Sequence, residues 1–265
     1  MNYNDNLMLA IKAAIKAGKT ILLYYQNPYD ITIKSDSSPV TIADQQSQAT
    51  IIQILKESNL PIISEELENK DYNARKNWNF CWIVDPLDGT KEFINKNGEF
   101  TVNIALIENQ EPIIGVIYSP VSGDLYFATK ELGSYKAKVH NHQIDETSIV
   151  SLPTSTTKNP LKIAISRSHA NEQTQAFIEA LKTEHPKMET IVAGSSIKMC
   201  KVAEGLAHLY PRFGRTMEWD TAAGHAILKY AKANIYDIET LQEIKYNKEN
   251  LENPNFIAIQ NHIKL

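Results

Sequence analysis

From Asp5 to Gln26 the apolar positions Leu7, Ile11, Ala14, Ile15, Gly18, Ile21, Leu22 and Tyr25 return at steps of three and four, the repeat of one helix face. The spacing predicts a long amphipathic helix, with Asn4 or Asp5 available as its cap. The polar stretch Lys34–Asp44 carries Pro39 and no period, so it reads as a loop or short hairpin. A second helix is expected from Gln45 to about Lys56.

The pattern then shortens. Phe80–Val84, Thr101–Ile107, Ile113–Tyr118, Asp124–Thr129 and Ser134–Ala137 are rich in branched and aromatic residues, and turn signals separate the last four. Strands spaced so closely predict an antiparallel meander. After the Ser/Thr/Pro stretch Ser151–Pro160 the rhythm changes again. Strands at Lys162–Ser166, Glu189–Ala193, Ala207–Phe213 and Asn234–Tyr236 alternate with helices at Asn171–Glu184, Ser195–Glu204 and Thr221–Ala231, an α/β alternation. The chain is expected to divide near residue 150, into an α+β part over 1–150 and an α/β part over 151–265.

Composition narrows the function classes. At 265 residues, with 43% hydrophobic and 22% charged residues, the chain has enough apolar surface for a sizeable core. No apolar run reaches membrane-spanning length, and Met1–Asp5 lacks the basic start of a secretion signal, so a cytoplasmic protein is expected. Peripheral contact with the inner face of a membrane needs no span and stays open, as do monomer and homodimer. Cys81 and Cys200 lie in unrelated contexts and read as buried free thiols. A net charge of −4 offers no general basic field for a nucleic-acid polymer. An anionic small molecule would need local cations or metal ions.

The chemistry concentrates in four acidic elements. In Trp82-Ile83-Val84-Asp85-Pro86-Leu87-Asp88-Gly89-Thr90 an apolar strand ends in two carboxylates, and Pro86 stiffens the turn between them. Convergent carboxylates call for cations, and the helix expected to follow, Lys91 to about Asn95, presents free N–H groups to an anion. Ser64-Glu65-Glu66 follows the apolar run Leu60–Ile63, Trp219-Asp220-Thr221-Ala222-Ala223-Gly224 opens a small-residue helix, and the loop Lys34–Asp44 ends in an acid. Each alone reads equally as a turn, a cap or a solvated loop.

Together, in order and spacing, the four elements resemble the lithium-sensitive, magnesium-dependent phosphatases of the inositol monophosphatase superfamily. Further stretches, among them Gly194-Ser195-Ser196-Ile197-Lys198 and Tyr210-Pro211-Arg212-Phe213-Gly214, are similar to the bacterial 3′(2′),5′-bisphosphate nucleotidase branch, the CysQ type, over about residues 5 to 259. Arg215 departs from that branch, which usually has Pro there, and Lys232-Ala233-Asn234 lacks its usual Gly-Gly.

The resemblance implies a layered αβαβα sandwich and a site holding two or three Mg²⁺ ions. Glu65, Asp85 and the Leu87 carbonyl would hold one ion, and Asp85, Asp88 and Asp220 a second. Asp44 and Thr90 would activate water, with Glu65 counted among the catalytic groups. Leu87, Asp88, Gly89, Thr90 and Asp220 would meet the reacting phosphate. For the rest of a nucleotide the candidates are Ser195, Ser196, Lys198, Arg212 and His169, with Ser166 beside it. The implied reaction is removal of the 3′-phosphate of adenosine 3′,5′-bisphosphate during sulfur assimilation. An inositol or sugar phosphatase with the same metal site is the nearest alternative. A catalytically inert Mg²⁺-binding module would have no use for a water-activating Asp44 and Thr90, and the absence of GxGxxG removes a dinucleotide-dependent oxidoreductase.

Overall fold

The computed structural model describes residues 2–27, 31–33, 39–157, 159–167 and 171–263. The first apolar repeat forms helix α1 (Tyr3–Tyr25), capped by Asn2 rather than by Asn4 or Asp5: the Asn2 side chain accepts from both of their N–H groups. Strands β1 (Ile31–Ile33) and β2 (Pro39–Thr41) pair antiparallel, as a short hairpin would. Lys34–Ser38 lies outside the described residues.

Helix α2 (Ile42–Leu55) starts three residues before the expected Gln45. Thr41 caps it: its hydroxyl accepts from Ala43 N at 3.2 Å, while Asp44 Oδ2 accepts from Thr41 N at 2.7 Å. This reciprocal cap moves Asp44 from the end of a loop into the first helical turn.

The meander is larger than its apolar runs suggest. After β3 (Ile62–Ser64) and the short α3 (Tyr72–Arg75) come β4 (Phe80–Asp88), α4 (Thr90–Ile94), β5 (Thr101–Glu108), β6 (Glu111–Ser119), β7 (Asp124–Thr129), β8 (Gly133–His140) and β9 (Gln143–Ser151). The seven strands lie side by side in chain order, β3 parallel to β4 and every later pair antiparallel. Edge strand β9 was not expected, because its mostly exposed residues show no apolar alternation.

The second half contributes β10 (Lys162–Ser166), α5 (Glu172–Glu184), β11 (Glu189–Ala193), α6 (Ile197–Glu204), β12 (Leu209–Arg212), α7 (Glu218–Tyr230), β13 (Ala233–Asp237) and β14 (Phe256–Gln260). Their strand order is β11-β10-β12-β14-β13. β10 runs parallel to β11 and β12, but β14, a strand not expected, inserts antiparallel between β12 and β13. The sheet is therefore mixed.

Alternation along the strands sorts the side chains into layers. Trp82, Val84, Ile104, Leu106 and Val116 face α1 and α2, whereas Cys81, Ile83, Ala105, Ile107 and Ile117 join Met199, Ala223 and Ile227 of α6 and α7 in a second core. The far side of that core is Ala164, Tyr210 and Ala258 of the five-stranded sheet, whose outer face packs Ile163, Leu209 and Ile257 against Leu181 of α5. The layers run αβαβα. Both cysteines are buried free thiols in the middle core, and burial pushes Cys81 up to about 12. Among the described residues no helix is long and apolar enough to cross a membrane.

One contact brings the middle layer close. A Cβ at Gly115 of β6 would sit 2.3 Å from the Ala223 carbonyl oxygen and 2.8 Å from Ala226 Cβ. Only glycine lets α7 lie this near the sheet, and α7 carries Asp220 in its first turn.

Candidate active site

The centre of the site is made where β4 ends. Its register against β5 pairs Asp85 with Asn103 and Asp88 with Thr101, so that Pro86 and Leu87 on β4 oppose the single Val102 on β5. Pro86 has no N–H for the ladder, and the extra residue forms an irregularity there. Residues three apart in a regular strand face opposite sides; the irregularity turns Asp85 and Asp88 to the same side. Leu87 N donates to Asp85 Oδ1 at 3.0 Å and fixes the turn. Asp220 arrives from α7, held by Met217 N at 2.8 Å. Oxygen atoms of Asp85, Asp88 and Asp220 all lie within 4.8 Å of one another.

Such a cluster opposes its own ionisation. Burial first, then Glu65, Asp88 and Asp220, holds Asp85 well above the ordinary carboxylate range. Burial and Asp88 push Asp220 up to about 8. Asp88 is raised by burial too, but Lys198 and hydrogen bonds from Asn103 and Ser196 pull it back. Three carboxylates that repel one another, Asp85 buried and Asp88 and Asp220 half-buried, suit a hard divalent cation, which would restore all three to the charged form. Glu65 stands at the end of β3, its N–H on Val84 O at 3.3 Å. It lines the same cleft and raises Asp85, but it lies outside the 4.8 Å group.

Beside the carboxylates, Thr90 Oγ1 donates to Asp44 Oδ1 at 3.1 Å, and the Leu87 carbonyl lies 3.5 Å from the same hydroxyl. Asp44 is buried, and burial raises its pKa against the lowering effect of Thr41 and Thr90. Gly89, before α4, has φ +93°, a backbone that disfavours any side chain. A Cβ there would also approach Ser195 Cβ to 3.2 Å. α4 begins at Thr90, one residue earlier than expected.

The opposite wall comes from the second half. Ser196 N donates to Asp88 Oδ2 at 2.6 Å, and its hydroxyl meets Asn103 Oδ1 and Thr101 Oγ1, each at 2.8 Å. Ser196 thus holds Asp88 in place. Ser195, at φ +41°, has its hydroxyl 3.2 Å from Thr101 Oγ1. The Lys198 ammonium is buried, donates to Ser195 O at 2.5 Å and Ala193 O at 3.4 Å, and sits over the Tyr210 ring. Burial drives it down to about 8, against the pull of Asp88. Arg212 Nη2 donates to Arg215 O at 3.3 Å. His169 lies outside the described residues; Ser166 lines the cleft.

Asn103 and Thr101 were not singled out from the sequence. Their signal is there: two buried polar residues in the otherwise apolar run Thr101–Ile107, on the strand opposite Asp85 and Asp88.

Residues 4–260 match the family model described as the inositol monophosphatase family. The chain belongs to that family. Within it, the chain is 41% identical over 247 residues to the 3′(2′),5′-bisphosphate nucleotidase CysQ of Escherichia coli strain K12, covering 92% of this chain and 95% of that one. The crystal structure of CysQ from Bacteroides thetaiotaomicron, described as a bacterial member of the inositol monophosphatase family, superposes with a TM-score of 0.90 at 44% identity, over 99% of each chain. A more distant likeness, to the extragenic suppressor protein suhB of Bartonella henselae (TM-score 0.76, 23% identity, 96% and 93% covered), extends to the fold alone. The αβαβα layering is thus the family's architecture.

Proposed function

We propose that the protein is a magnesium-dependent 3′(2′),5′-bisphosphate nucleotidase that removes the 3′-phosphate of adenosine 3′,5′-bisphosphate, giving AMP and phosphate. The reading rests on one juxtaposition, three converging carboxylates beside an Asp44–Thr90 pair, in a chain similar to CysQ nucleotidases over nearly its whole length. Glu65, Asp85 and the Leu87 carbonyl would hold one ion, and Asp85, Asp88 and Asp220 another; all are oxygen donors, as Mg²⁺ prefers. When bound, Mg²⁺ screens phosphoryl charge and lowers the pKa of water.

The chain's own residues do the rest. Thr90 Oγ1, already donating to Asp44, is left with lone pairs for a proton of the attacking water. As that proton reaches Thr90, the Thr90 proton passes to Asp44, whose raised pKa makes it a stronger base than an ordinary carboxylate. The water oxygen bonds to phosphorus, and the ribose 3′-oxygen departs with the electron pair of the broken P–O bond and takes a proton from solvent water, giving the 3′-hydroxyl of AMP. The N–H groups of Gly89 and Thr90 at the start of α4 face the phosphoryl oxygens. Ser196 and Asn103 position Asp88, and Lys198 and Arg212 supply positive charge towards the remainder of the nucleotide. In the cell the reaction would clear a by-product of sulfur assimilation.

Phosphate release from adenosine 3′,5′-bisphosphate and inositol 1-phosphate, each with Mg²⁺ and with EDTA, tests the reading. Mg²⁺-dependent preference for the nucleotide is expected. Preference for inositol phosphate would keep the metal site and overturn the substrate, and no release from either would overturn both.

A further inference from the structure

We propose that Glu99 is a positioning residue for substrate recognition: it anchors the turn that follows β11 and, through that turn, sets where the Lys198 ammonium stands in the cleft. The inference rests on the nucleotidase reading above, in which Lys198 serves the part of the nucleotide that does not react.

Glu99 lies just before β5, yet its carboxylate accepts from residues 68 and 95 positions further along the chain. Gly194 N donates to Oε2 at 2.8 Å, Arg167 Nε donates to the same oxygen at 3.0 Å, and Arg167 Nη2 donates to Oε1 at 2.9 Å. A guanidinium fork that grips a carboxylate at two points fixes its orientation as well as its place. The Arg167 hydrogen bonds also hold Glu99 below the ordinary carboxylate range, so the anchor is charged at neutral pH. Arg167 is itself 47% exposed, and an ion pair so open to water contributes only about 0–1 kcal/mol to stability. Its effect is to aim the carboxylate at the Gly194 N–H.

The turn is shaped to take that bond. A Cβ at Gly194 would meet Glu92 Cγ at 2.8 Å and the Glu99 carbonyl oxygen at 2.9 Å, so only glycine approaches Glu99 this closely. The two carbonyls that flank Gly194, those of Ala193 and Ser195, accept from Lys198 Nζ at 3.4 and 2.5 Å. The ammonium thus hangs from both sides of the residue that Glu99 grips. It has three donors, and one is left for the substrate in the cleft that Lys198 lines. Ser196, the support of Asp88, is held separately by Asn103 and Thr101. Loosening Glu99 therefore displaces the ammonium and leaves the carboxylate cluster in place.

The test reads kcat and KM for adenosine 3′,5′-bisphosphate and adenosine 3′-monophosphate, which carry the same leaving phosphate and differ only at the 5′ position. Glu99→Ala is expected to raise KM for the bisphosphate about tenfold, the equivalent of about 1.4 kcal/mol, to keep kcat within about twofold, and so to lower the bisphosphate-to-monophosphate ratio of kcat/KM. Glu99→Gln, which keeps an oxygen for the Gly194 N–H, should recover part of the loss. In a Lys198→Met background Glu99→Ala should add less than about twofold, because the group it acts through is gone. A Glu99→Ala protein that melts lower but keeps the wild-type KM and ratio overturns the proposal, as does a full tenfold loss on top of Lys198→Met; should Lys198→Met fail to fold, the ratio in Glu99→Ala decides alone. Either result leaves the nucleotidase reading intact, whereas a wild-type enzyme that hydrolyses inositol 1-phosphate but neither nucleotide overturns both.

Discussion

The floor and the rim of the cleft are built on opposite plans. On the floor, Asp85, Asp88, Asp220 and Asp44 are each tied to backbone N–H groups or to buried hydroxyls, and they come from strand ends and first helical turns that the core holds on both sides. On the rim, Arg215 is exposed, and its Nε lies 3.4 Å from Oε2 of half-buried Glu252. The floor holds like charges against one another in a rigid frame, whereas the rim sets opposite charges side by side in water. Groups that must meet a transition state are fixed in advance.

The largest expected effect would break the floor chemically without breaking it mechanically. Asp85→Asn should lower turnover about 10³-fold or more, since a metal ion contributes several kcal/mol. It should leave the thermal midpoint of the metal-free protein unchanged or higher, because it relieves repulsion. Phosphate release and thermal unfolding read the two sides, and near-normal turnover in a folded Asp85→Asn variant would sink the ligand assignment. Next in size, Thr90→Ala should reduce kcat about 10²-fold while moving KM little, as expected of a group acting in the transition state. A raised KM with kcat intact would reduce Thr90 to a binding role.

The smallest effect is one of pH. Burial and Asp88 raise Asp220 to about 8, above an unfolded value of about 3.9. A folded pKa raised in this way contributes stability that is fully present below about pH 4 and is lost as pH rises through about 8. Protein stripped with EDTA should therefore melt at lower temperature at about pH 9 than at about pH 5, and Mg²⁺ should restore the loss. A midpoint that holds level over that window would mean that the floor carries no such repulsion.

The floor was the more legible region. Trp82–Asp88 declares itself as an apolar strand ending in acids; periodicity gave the α+β and α/β parts, and the αβαβα layering came from the resemblance alone. The start of α2 was misplaced although Thr41-Ile42-Ala43-Asp44 has the spacing of a reciprocal cap, so Asp44 seemed to end a loop. Ser196 could not be read as a support for Asp88, because that bond joins residues 108 apart in the chain. β9 escaped because its pairing is backbone to backbone and its side chains carry no alternation. The apolar run that forms β14 was passed over, for its partners, residues 209–212 and 233–237, come much earlier in the chain.

The place of β14 has a consequence for the order in which the protein is made. The seven-stranded sheet lies in chain order, so each strand leaving the ribosome finds its neighbour already present. β12 and β13 do not hydrogen-bond to each other and await β14, residues 256–260, to join them. The strand that ends in Arg212 therefore gains its second partner only once residues 256–260 have emerged. Until then the nascent protein carries Asp85 and Asp88 on strands whose sheet neighbours have all emerged, but has no completed cleft in which to use them.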